Sequence, residues 1–175
     1  MNYELLAKKY QPKKINTLLI GEAPPPNGKK YFYLIPENYR LSSKTIEDDC
    51  SLPSTIFNHY FGRRPFDSEE YEHFLNQLKE RGVFLIDIIE EPIQIRDRQK
   101  RGLNEENLNR LFSEENLKRL KTKVDSLIST ETNLIFLYAR GYKKEYRDRL
   151  KRIFENSISF QWKDFRLNTT EKYII

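Results

Sequence analysis

Three mostly apolar runs stand out along the chain: Ile15 to Ile20, Val83 to Ile89 and Asn133 to Ala139. Each spans roughly four to eight residues between turn formers, the pattern of a strand covered on both faces. Ser157 to Gln161 is a candidate fourth strand. Between these runs apolar residues recur at helical spacing. A leading helix is expected over Tyr3 to Tyr10, ended by Pro12, and another over Pro53 to Phe61 with Ser51 or Ser54 as its cap. Asp67-Ser68-Glu69-Glu70 opens a third helix with acids in its first turn, where they suit the dipole, and Gly82 closes it. Its buried stripe is Tyr71, Phe74, Leu75 and Leu78. Helices follow over Glu105 to Phe112, from Glu114 to about Ile128 after a Ser113 cap, and up to about Phe154. Leu41 to Cys50 and the charged stretch Ile95 to Gly102 read as irregular. Strands alternating with helices predict an α/β fold: a three-layer α/β/α sandwich with a mostly parallel four-stranded sheet, one domain over residues 1–175.

Composition narrows the partners. Of 175 residues, 38 % are hydrophobic and 33 % charged, polar for a globular protein but too aromatic for disorder. A net charge of +5 favours anionic partners and equally suits a solvated basic surface. Cys50 is the single cysteine, which excludes an intramolecular disulfide or a thiolate-held iron–sulfur cluster. His59 and His73 lack the spacing of a zinc pair, so no metal or other cofactor is expected. The start of the chain has no signal-peptide character and no apolar run reaches membrane-spanning length, so a soluble, cytoplasmic protein is expected.

Parallel strands gather their carboxyl ends at one edge of the sheet, where ligands of open α/β sheets bind. That edge should bring together Gly21-Glu22-Ala23-Pro24, Asp87 and Arg140-Gly141. Gly21 allows close backbone approach, the prolines stiffen the loop, and Glu22 and Asp87 supply carboxylates that orient water or accept from ring N–H and amino groups. Tyr31-Phe32-Tyr33 offers flat surfaces for stacking a base, or else forms core. Asp87 reads alternatively as a helix cap or salt-bridge partner, and Glu22 as a loop-closing acceptor. Arg63, Arg64, Arg140, Tyr142, Lys143 and Lys144, with Lys29, Lys30 and the Arg96 to Arg101 loop, are candidates for holding phosphates. Gly141 at a helix start adds backbone N–H groups. Lys118 to Lys123 reads as a solvated helix face.

The run Leu19-Ile20-Gly21-Glu22-Ala23-Pro24-Pro25 followed by Tyr31-Phe32-Tyr33 resembles the first motif of the uracil-DNA glycosylase superfamily. Gly82 to Asp87 resembles the strand that ends at its base-reading residue, and Phe136 to Tyr142 the strand and turn before its DNA-inserting segment. The resemblance implies a DNA glycosylase-like protein, connected with DNA repair, that accommodates a flipped or single-stranded base and hydrolyses its N-glycosidic bond. Glu22 would then orient water, Phe32 or Tyr33 stack on the base, and Asp87 read its edge. The chain departs from the family in three places: Asp87 stands where several branches have asparagine, no histidine follows His73, and the cluster cysteines are missing. These departures keep open an alternative, a catalytically inactive nucleic-acid or nucleotide-binding protein of the same fold.

Overall fold

The three apolar runs meet in one parallel sheet. In the computed structural model, which describes residues 2–26, 31–37, 39–41, 51–94, 96–97, 102–137 and 144–154, β1 (Thr17–Gly21) lies between β2 (Val83–Asp87) and β5 (Asn133–Phe136). The register runs from Thr17 opposite Val83 to Gly21 opposite Asp87 on one side, and from Thr17 opposite Asn133 to Ile20 opposite Phe136 on the other. All five residues of β1 are buried, as a central strand covered on both faces requires.

Helices fill the connections. After α1 (Tyr3–Lys9) and β1, the chain passes through α2 (Leu52–Phe61) and α3 (Ser68–Glu80) to β2. It then returns past β1 through β3 (Arg96–Asp97), β4 (Gly102–Leu103), α4 (Glu105–Leu111) and α5 (Glu114–Leu127) to β5, and continues into α6 (Lys144–Phe154). α3 packs on β2 through the expected stripe Tyr71, Phe74, Leu75 and Leu78. α5 packs with α6, burying Leu117, Leu120 and Val124 on one and Leu150 and Phe154 on the other. Side-chain caps set the starts: Ser51 accepts from the Ser54 N–H, Asp67 from Glu70 and Ser113 from Asn116, each worth about 1 kcal/mol.

The amino end of the sheet is pinned at Gly82. Its carbonyl accepts from the Asn16 N–H at 2.8 Å, and its φ of +75° lies in the left-handed region. A Cβ there would also stand 2.8 Å from the Lys14 carbonyl oxygen, so glycine is required twice over.

Several expectations need adjustment. Ile95 to Gly102 is not wholly irregular: Arg96–Asp97 and Gly102–Leu103 pair antiparallel, a hairpin too short and too charged to leave an alternating apolar pattern. β2 ends at Asp87, although Ile88 and Ile89 remain buried and the Ile88 N–H still bonds Gly21 O. Tyr31-Phe32-Tyr33 forms a turn closed by the Leu34 N–H on the Tyr31 carbonyl. Three strands of the expected four are among the described residues; Ser157 to Gln161 lies outside them, as does Cys50. Among the described residues no helix is long and apolar enough to cross a membrane.

Candidate functional site

The parallel register sets Gly21 beside Asp87 at the carboxyl edge of the sheet. The contact is close: a Cβ on Gly21 would lie 2.5 Å from Asp87 Oδ1. Only a residue without a side chain lets the carboxylate lie over the end of β1. Asp87 is mostly buried, and its carboxylate accepts no hydrogen bond among the described residues. Burial pushes its pKa up to about 7; Lys123 pulls it down, while Glu22 and Glu90 push it further up. Lys123 is itself bonded to Glu90 at 2.7 Å, so its charge is shared between the two carboxylates.

Two cavities meet at Asp87. One, of about 240 Å³, runs along the open edge of β2 between α1 and α5. Pro24 and Tyr31 wall it beside Phe84 and Ile86, and Lys8 and Lys123 supply cations. The other, of about 450 Å³, lies between the segment after β2 and the facing ends of α4 and α5. Its charges are largely paired with each other, Arg110 with Glu91, Arg119 with Glu115 and Lys123 with Glu90.

The motif loop after β1 divides. Glu22 is half-buried and close enough to Asp87 to raise its pKa. Ala23 packs against the core, and Pro24 is buried in the cavity wall. The aromatic trio goes inward. Phe32, 4 % exposed, sits against Tyr33 and Phe57 with ring centroids at 4.9 and 5.5 Å, so it is core and not a stacking platform. Tyr33 is equally buried; its hydroxyl accepts from the Leu85 N–H at 2.7 Å and donates to the Leu85 carbonyl at 3.1 Å. It thereby closes the unpaired edge of β2 two residues before Asp87. Neither Phe32 nor Tyr33 lines either cavity; Tyr31 does, with its hydroxyl donating to the Tyr3 carbonyl at 3.2 Å. Burial raises the pKa of both tyrosines, so both keep their protons.

Of the expected phosphate-binding residues, Arg63, Arg64 and Lys144 are described, and none of them lines either cavity at Asp87. Arg63 is exposed, pairs with Glu70 and lies 5.0 Å over the Phe74 ring, whereas Arg64 is buried at 6 % exposure and out of reach of a nucleic-acid backbone. Local packing in the α2–α3 turn buries Arg64 and pairs the exposed Arg63 with Glu70, which a count of basic residues does not anticipate. Lys144 is exposed at the start of α6. Arg140, Gly141, Tyr142 and Lys143 lie outside the described residues, as do Lys29, Lys30, Arg98, Lys100 and Arg101. Elsewhere basic side chains meet acids: Lys9 with Glu72, Lys14 with Glu131, Lys121 with Asp125 and Arg149 with Glu145.

Lys123, read from sequence as part of a solvated face, proves to face Asp87. Its position between buried Leu120 and buried Val124 marks it as a flank of the apolar stripe. That was the available signal. Lys8 and Glu4 of α1 carried none, because α1 precedes the motif and the turn after it folds back against that helix. Among the described residues no three His, Cys, Asp or Glu side chains converge as metal ligands. Comparison with protein families, curated proteins and solved structures finds no match for this chain.

Proposed function

We propose that the carboxyl edge of this sheet holds a nucleobase presented by single-stranded or base-extruded DNA, as in a divergent DNA glycosylase, with Asp87 reading the edge of the base. The observation that carries this reading is the bare Asp87 carboxylate lying over Gly21 and opening on a cavity of about 240 Å³. That volume is below the range of about 300–1,000 Å³ for drug-sized ligands, which suits one ring system better than a whole nucleotide. Tyr31 and Pro24 supply flat apolar wall, and Glu22 is near enough to orient a water. The strand order β2-β1-β5, all parallel, is compatible with a three-layer glycosylase-like sandwich whose fourth strand would add beside β5.

The test is incubation with oligonucleotides containing uracil, hypoxanthine, xanthine or a mismatch, followed by alkaline cleavage at abasic sites. Product on one of these, lost in Glu22→Gln with the fold intact, is the expected result. No product on any of them, with folded protein in excess, would overturn hydrolysis.

Binding without hydrolysis is favoured by a specific observation: Phe32 is core, so base stacking falls to Tyr31 alone, and no histidine follows His73 to stabilise a departing base. It predicts DNA retention that weakens as salt rises, with the strands uncut. Retention that ignores salt would count against it.

A further inference from the structure

The Asp87 carboxylate is a site with two faces, and which one it shows depends on its proton. An ionised carboxylate has acceptors only, whereas a protonated one donates through O–H and accepts through C=O, as a side-chain amide does. We propose that Asp87 is the specificity-determining residue of the edge cavity and that its proton selects the ligand: a ring lactam, with adjacent N–H and C=O, when the carboxyl is protonated, and a ring amidine, with adjacent N–H and NH₂, when it is ionised. This rests on the base-pocket reading and names the ligand classes for that pocket.

The geometry sets this up from every side. Gly21 brings the carboxylate against the end of β1 and out of bulk water, where the charged form is disfavoured. Glu22, from the loop after β1, and Glu90, from the segment after β2, add like charge. Lys123 of α5 is the cation that opposes them, and it is held by Glu90. From α1, Glu4 and Lys8 line the same cavity with one charge of each sign. From the turn after the motif, the Tyr31 and Tyr33 hydroxyls are neutral donors already used on Tyr3 and Leu85. On the far side, Arg110 and Arg119 are matched by Glu91 and Glu115. No hydrogen-bond donor among the described residues fixes the carboxylate in its ionised form. The balance therefore falls close enough to neutrality for both forms to be populated.

The alternative use of this edge, addition of an extended peptide strand, is disfavoured because Tyr33 occupies both backbone groups of Leu85 in the middle of β2.

The probes are 9-methylhypoxanthine, a lactam, and 9-methylguanine, the same ring with an added amino group. Both keep their ring N–H from about pH 6 to about pH 8, so the change in protonation is the protein's. Ligand-observed NMR titration should show the two bases binding alike at the low end, where both offer the lactam edge. Above neutrality the hypoxanthine should weaken by about tenfold per pH unit while the guanine holds. Asp87→Asn, an isosteric amide, should bind both with no pH dependence. Hypoxanthine and guanine keeping one affinity ratio throughout, or a pH dependence that survives Asp87→Asn, would overturn proton selection while leaving the base pocket standing. Failure of either base to bind at any pH would overturn both readings together.

Discussion

Two polar groups lie against β2 within two residues of each other, and the protein treats them in opposite ways. The Tyr33 hydroxyl is buried with both of its bonding capacities used on Leu85, one as donor and one as acceptor. The Asp87 carboxylate is mostly buried with none of its acceptors used among the described residues. A satisfied buried group rigidifies the fold; an unsatisfied one costs free energy that only a ligand or a proton recovers. The comparison separates scaffold from site inside a single motif. The aromatic turn that follows the Gly-Glu-Ala-Pro loop secures the edge strand, and the strand's last residue is left for chemistry.

The widest separation between the two should appear in how stability depends on pH. Asp87 has a pKa of about 7 in the folded protein against about 3.9 unfolded, so the native state holds that proton more tightly throughout the window between them. Stability from this group is therefore lost as pH rises from about 4 to about 7, by up to about 4 kcal/mol, and is flat above. Asp87→Asn removes the decline. By urea unfolding it should exceed the parent by about 2–4 kcal/mol at about pH 8, and match it within a few tenths at about pH 4. Unfolding curves that stay parallel across this range would put the carboxylate in contact with more water than its packing implies.

Tyr33→Phe probes the other partner. It keeps the ring in its stack on Tyr10, centroids 5.8 Å apart, and leaves the Leu85 N–H and C=O unmatched at a buried strand edge. The expected cost is about 2 kcal/mol, and because the Tyr33 hydroxyl stays protonated the loss should be the same at acid and neutral pH. A loss that varies with pH would mean that the two groups are coupled and the division between scaffold and site is false.

How much of this was visible in the residue pattern follows from what each feature depends on. β1, β2 and the stripe of α3 are local periodicities, and they emerge within a residue or two of their observed bounds. Asp87 was legible as an acid inside a buried apolar run, though not as the residue that ends the strand, and its pairing with Gly21 follows once the strands are parallel. The fate of Tyr31-Phe32-Tyr33 was not legible. Three adjacent aromatics bury or face outward according to whether a neighbouring strand offers an unpaired edge, and that edge comes from residues more than fifty positions away. Lys123 was missed for a related reason: a lysine flanking an apolar stripe looks alike whether it faces solvent or a distant carboxylate. The pairing of Arg63 was not legible either, because Glu70 becomes its neighbour only on folding.

Gly21→Ala tests whether the close approach of strand and carboxylate is needed. The added methyl would meet Oδ1, so the carboxylate must swing away from β1. Since the obstacle is a side chain and not backbone, the cost should be about 1 kcal/mol. In an Asp87→Ala background the same substitution should cost less, because the clash is gone, and the difference is the coupling between the two positions. Equal costs in both backgrounds would place the strain elsewhere.

The smallest effect on stability, and the sharpest on the site, is expected from Lys123→Gln. Its ion pair with Glu90 is part-exposed, so at about pH 5, where Asp87 keeps its proton in the folded protein, its loss should change unfolding free energy by less than about 0.5 kcal/mol. Asp87, however, loses the cation that holds its pKa down while Glu22 and Glu90 remain, so its midpoint should move further up. Carboxyl-carbon NMR of the Asp87 resonance reads this directly. An unmoved midpoint would mean that Lys123 contributes packing along its methylene stem and no charge, leaving burial alone to set the proton on Asp87.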